Sequence, residues 1–262
     1  MDQPLYSALL WLLPLFFLTA FVYSSAGFAG GSTYLALLVL AGLPMVLLPS
    51  IALSCNIVVA LTGFVLYAKE GRIDLRMVLP FLIASIPMAF VGGRIPIGRE
   101  EFMLLLGLSL FVAALRLVLP IEGVKEGRRA IEWFESFKIG IPIGAVLGLV
   151  SGLTGIGGGI FLAPILYFLG WGGARRIAAA ANVFILVNSI SGLMGQLVKN
   201  SFQWEPQVVF PLVVAVFIGG LTGTNVGLKG IRPIHLKQVT AGLVLFVSLN
   251  VLWRWFTIRG GV

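Results

Sequence analysis

The chain has 262 residues, of which 59% are hydrophobic and only 11% charged, and its mean hydropathy is +1.05. Soluble globular domains carry about 25% charged residues, so this composition excludes an ordinary water-soluble fold and describes a chain solvated mainly by lipid. The net charge of +8 comes from Lys and Arg placed in loops between apolar runs, with no continuous basic stripe, which excludes nucleic acid as a partner.

Met1-Asp2-Gln3-Pro4 lacks the basic start of a signal peptide, and the apolar run behind it exceeds a typical signal core. It therefore reads as the first of ten apolar segments: 5–23, 31–48, 50–68, 76–93, 102–119, 137–153, 158–170, 175–198, 207–227 and 236–257. Two glycine breaks interrupt them 128 residues apart: Gly27-Phe28-Ala29-Gly30-Gly31 and Gly155-Ile156-Gly157-Gly158-Gly159. An asparagine follows each break one segment later, in Cys55-Asn56 and in Ala181-Asn182. One membrane unit is thus written twice, with repeats over 1–120 and 137–262 joined by a polar linker over 121–136. The fold class expected is an all-α polytopic membrane protein. Its two five-segment repeats are inverted relative to each other, because the segment number is odd. Segment 158–170 is too short to cross a core of about 30 Å, so segments 1–2 and 6–7 are expected to form glycine-broken helices or hairpins.

Counted along this topology, thirteen Lys and Arg fall on one side and five on the other. The richer side belongs in the cytoplasm, which puts both termini outside the inner (plasma) membrane. The linker carries an apolar side made of Ile131, Trp133 and Phe134, fitting a short interfacial helix or a plain connection. Gly140, Gly144, Gly148 and Gly152 recur every four residues, as do Gly219, Gly223 and Gly227. Such stripes let helices approach closely, within one chain by default or else across a homodimer seam.

All ten carboxylates sit in loops or at segment edges. Cation sites and proton relays usually place Asp or Glu at depth, so the pattern points to a small anion as substrate. Groups available to hold it are neutral: glycine N–H groups at half-helix starts, and hydroxyls and amides beside them. The candidate binding residues are Gly27, Gly30, Gly31, Ser32 and Asn56 from the first half, with Thr154, Gly155, Gly157, Gly158, Gly159 and Asn182 from the second. Packing glycines and stabilising amides are the competing reading of the same residues. One cysteine (Cys55) and one histidine (His235, in a turn) leave no disulfide, redox pair or metal cluster, and no catalytic motif is present. No cofactor and no enzymatic activity are expected. A transporter, a passive anion channel and a transport-free scaffold are the three functional readings, in that order.

The run from Gly155 to Gly159 followed by Pro164, the asparagine one segment on, and the duplicated length together resemble the sulfite exporter TauE/SafE family of membrane permeases. The resemblance implies transport, more commonly export, of a small sulfur-containing anion such as sulfite, thiosulfate or an organosulfonate. It carries over to Gly155, Gly157, Gly158, Gly159 and Pro164, with Gly27, Gly30 and Gly31 as the first-half copy. In that copy Ala29 replaces the matching glycine and Ala36 the proline, so the two breaks are not expected to be equivalent.

Overall fold

In the computed structural model, residues 3–118, 133–199, 202–229 and 234–260 are described. They form ten α-helices: α1 (Gln3–Ser25), α2 (Gly31–Leu40), α3 (Leu48–Lys69), α4 (Leu75–Arg94), α5 (Arg99–Val118), α6 (Trp133–Thr154), α7 (Gly159–Phe168), α8 (Ala174–Leu197), α9 (Pro206–Leu228) and α10 (Ile234–Gly260). Among the described residues five stretches are long and apolar enough to cross a membrane: Leu48–Lys69, Leu75–Arg94, Glu135–Thr154, Ala174–Leu197 and Pro206–Leu228. The protein is a helical membrane protein. Most of the expected linker lies outside the described residues, but its last four positions belong to α6, and His235 lies in α10 instead of a turn.

The helices begin and end where local chemistry dictates. Pro49 and Pro206 stand at the starts of α3 and α9, where a missing N–H costs nothing. Asp74 caps α4, its carboxylate accepting from the Arg76 N–H at 3.1 Å. The two short helices are closed by the same device. Gly42 (φ +71°) and Gly170 (φ +66°) adopt the left-handed conformation after α2 and α7. The next N–H reaches back in each case, Leu43 to the Leu38 carbonyl and Trp171 to the Leu166 carbonyl, both at 3.2 Å. This motif satisfies helix-end carbonyls and needs glycine at the turn. It corrects the segment drawn over 31–48: α2 has ten residues, like α7, and each is about 15 Å long against a bilayer core of about 30 Å.

Packing partners recur with an offset of five helices. α4 packs on α6 as α9 packs on α1, α4 on α8 as α9 on α3, while α3–α8 and α5–α10 pair with their own counterparts. The glycine stripes bring backbone against backbone in the α4–α6 and α1–α9 pairs. A Cβ on Gly144, Gly148 or Gly152 would collide with the carbonyls of Phe81, Ser85 and Ala89 on α4. One on Gly219, Gly223 or Gly227 would meet those of Phe17, Phe21 and Ser25 on α1. Both stripes are therefore used inside the chain. α8 is the most enclosed of the long helices, with 72% of its apolar window buried, and α3 follows at 56%. These two carry Asn182 and Asn56, each the ninth residue of its helix and so about 12 Å along it.

Gly148→Leu is expected to lower stability by about 1–3 kcal/mol, the usual cost of forcing extra side-chain volume into a packed contact. Gly242, which has open space around it on α10, tolerates Ala without loss. Thermal denaturation of the two variants in detergent checks the contrast.

Candidate functional site

Each break is a helix end facing a helix start. α1 stops at Ser25, Gly27 turns at φ +86°, and the Phe28 N–H returns to the Tyr23 carbonyl at 2.9 Å. Gly30 (φ +100°) then caps α2. In the second break Gly155 (φ +85°) turns the chain, Gly157 (φ +88°) turns it again, and Gly158 (φ +71°) caps α7. These are conformations a side chain resists. The Gly157 turn has no counterpart, because Ala29 keeps an ordinary negative φ. The two breaks are thus related but follow different paths, as the Ala29 substitution leads one to expect.

Asn56 joins them. Its Nδ2 donates to the carbonyls of Gly155 and Ile156, each at 3.2 Å. Its amide also lies against Gly31, where a Cβ would strike it and the Ile156 carbonyl as well. The start of α2, the middle of α3 and the second break therefore meet at one point. A narrow cleft opens there, partly open to solvent, with room for about one water molecule. Tyr23, Phe28, Ala29, Gly30, Gly31 and Ser32 form one wall and Ile156, Ile160 and Ile185 the other.

The polar groups at the cleft are uncharged. The Tyr23 hydroxyl shares hydrogen bonds with the hydroxyls of Thr33 (2.8 Å) and Ser32 (3.3 Å). The N–H groups of Gly31, Ser32 and Ile160, at the first turns of α2 and α7, have no protein acceptor among the described residues. Helix starts present such donors with a partial positive charge, the ordinary makings of an anion site. Buried polar side chains among the described residues are all Ser, Thr, Asn or Gln, and no cluster of His, Cys, Asp and Glu there could hold a metal.

The sequence candidates divide. Gly30, Gly31 and Ser32 line the cleft, and Asn56, Gly155 and Gly157 pack directly behind it. Thr154 is committed to the backbone: its hydroxyl donates to the Val150 carbonyl at 2.7 Å and accepts from the Ile156 N–H at 3.4 Å. Gly27, Gly158 and Gly159 are close-approach glycines set against Ala178, Phe184 and Ile185. Asn182 faces Gly63 on α3, and its buried Oδ1 takes no hydrogen bond. Ser24 and Ser25 bond back to carbonyls of their own helix. Sequence reasoning did not name Tyr23, Phe28, Ala29, Ile156, Ile160 or Ile185 as candidates, and these also line the cleft. Tyr23 had a readable signal, a hydroxyl one turn before a glycine break, whereas the isoleucines are indistinguishable from lipid-facing residues.

A model of the sulfite exporter TauE/SafE family matches residues 12–251. The chain belongs to that family. It is 32% identical over 238 residues to a probable membrane transporter protein, y4hK, of Sinorhizobium fredii, covering 91% of this chain and 96% of the relative. A probable membrane transporter protein of Xylella fastidiosa is 26% identical over 215 residues, 78% of each chain. Another, MJ0441 of Methanocaldococcus jannaschii, is 24% identical over 197 residues, 71% of each. No solved structure matches. The breaks and their cleft thus belong to a family of membrane transporters.

Asn56→Leu leaves two break carbonyls without their donor and is expected to cost about 1–3 kcal/mol. Asn182→Leu, which removes no such bond, costs clearly less. Equal losses in denaturation of the purified variants would show that the Asn56 bonds carry no special stability.

Proposed function

We propose that the protein is a secondary transporter of a small sulfur-containing anion, sulfite or an organosulfonate, with export as its direction. The observation that carries this reading is the convergence of free helix-start N–H groups and hydroxyls on one cleft, with no buried carboxylate among the described residues. A buried acid would repel an anion, whereas neutral donors replace its hydration shell. The substrate class comes from the TauE/SafE membership, since neutral donors select by cavity shape.

On this reading the halves 1–120 and 137–262 are inverted repeats, supported by the five-helix offset in packing partners. They rock against each other and open the cleft to either side in turn. α3 and α8, enclosed at the centre, carry the pivot and the two asparagines. On the same reading both termini lie outside the inner membrane, an orientation supported by the excess of basic residues on the opposite side.

Reconstitution in liposomes tests the proposal, with sulfite, thiosulfate, sulfonates and small carboxylates offered in turn. A carrier shows saturable counterflow, accelerated by unlabelled substrate on the opposite face, whereas a pore shows none. Tyr23→Phe removes one cleft hydroxyl and is expected to reduce flux about three- to tenfold, the worth of one hydrogen bond. Asn182→Leu is expected to abolish flux while the protein still inserts. Flux of no anion, or unaccelerated flux, would end the carrier reading.

A further inference from the structure

The units that pack together are not the two sequence halves. Among the described residues α4 packs on α6 and α8, both from the second half, and makes no extended contact with a helix of its own half. α9 mirrors it, packing on α1 and α3. These ties run backbone to backbone. Besides the glycine stripes, a Cβ on Gly93 of α4 would strike the Gly192 carbonyl of α8, and one on Gly195 of α8 would strike the Phe90 carbonyl of α4. The Ser191 hydroxyl on α8 also donates to the Ile86 carbonyl of α4 at 2.6 Å. Buried side chains follow the same division. One core is built from α4, α7 and α8 alone, Phe81, Leu162 and Phe184 among them. The other gathers α1, α2, α3, α5, α9 and α10, and from the stretch α6 to α8 it takes only Ile156, Ile160, Ile185 and Leu186. Three of those four line the cleft. Between α3 and α8 the contact is looser: Gly63 meets the Asn182 amide and Gly192 the Leu53 side chain, so side chains stand between the backbones. Backbone meets backbone across that boundary at the two breaks, Gly27 against Ala178 and Gly155 against Pro49. Helix association in lipid rests on close packing, so long backbone contacts hold while a boundary of side chains and single points can slide.

We infer that the protein moves as two bodies that cut across its halves: α1, α2, α3 and α9 form one, α4, α6, α7 and α8 the other, and the cleft lies on the seam between them. This rests on the alternating-access reading and deepens it: the repeats stay related by inversion, but each moves with the other's fourth helix. The cleft walls obey the division, since Tyr23 and Phe28 to Ser32 belong to the first body and Ile156, Ile160 and Ile185 to the second. α5 and α10 pair with each other and bridge the bodies, α5 touching α6 and α7 while α10 touches α1 and α2. The chain passes from the first body to the second through residues 70–74, where Gly71 (φ +62°) turns in open space. With room for about one water the cleft is shut in this arrangement, and parting of the seam is what admits an anion.

Distances between spin labels on the full-length protein in lipid nanodiscs test this, measured with and without saturating sulfite. Labels go on cysteines introduced at exposed positions, Val91 on α4, Ile141 on α6 and Leu61 on α3, while the native Cys55 is buried. The pair Val91→Cys with Ile141→Cys spans the two sequence halves but lies within one body, and its distance is expected to stay fixed. The pair Val91→Cys with Leu61→Cys lies within one half but spans the seam, and its distance is expected to shift by more than about 2 Å, the scale of a domain rearrangement. The opposite result, a shift in the first pair and none in the second, would overturn the inference in favour of motion by sequence halves. A shift in both pairs would overturn it too, because α4 would then not travel with α6. No shift in either pair of a protein that carries sulfite would overturn both the inference and the rocking mechanism. Absence of sulfite flux in liposomes would instead strike the transport reading on which the inference rests.

Discussion

Backbone that leaves the helix inside an apolar surrounding must find hydrogen-bond partners from within the protein, and the pair of bonds from Asn56 to the Gly155 and Ile156 carbonyls meets that demand. The rest of the site depends on it. Without a donor at that depth the second break could not hold three left-handed glycines in an open path. Without the open path the start of α7 could not face the start of α2. One amide on α3 thus ties the second half of the chain to the first, across about a hundred residues of sequence.

Among the described residues no charged side chain is buried. On the proposed reading, helix starts supply partial positive charge and donors as part of the backbone, so no lysine or arginine needs to be desolvated to attract an anion. The buried polar side chains among the described residues are hydroxyls and amides, which carry donors without a formal charge. Close packing supports this arrangement from outside: α6 lies backbone to backbone on α4 and α9 on α1, through glycines whose side chains would otherwise separate the helices. The short α2 rests on α3 and α10 and the short α7 on α8, with N–H groups in the first turn of each unspent.

Much of this was legible in the residues themselves. The breaks, the asparagines and the glycine stripes stand out because glycine and asparagine are rare choices inside apolar runs, each with few physical reasons to be there. Ala29 announced the difference between the breaks, since only glycine could have made the extra turn that Gly157 makes. Other features were hidden. The end of α2 at Gly42 lies inside a run that stays apolar through Leu43, Met45 and Leu47, so hydrophobicity alone carried the segment to 48. Thr154 was indistinguishable from a ligand donor until its hydroxyl was found bonded to Val150 and Ile156. Ile156, Ile160 and Ile185 line the cleft with side chains that any lipid-facing position could carry.

The central claim is that an anion sits between the two helix starts, held by uncharged donors. Selenite is a heavier analogue of sulfite, and its anomalous scattering locates it directly in crystals of the protein. The account predicts one strong peak within hydrogen-bond reach of the Gly31 and Ser32 N–H groups on α2 and the Ile160 N–H on α7. A peak at a basic loop, with none in the cleft of a protein that transports selenite, would contradict it.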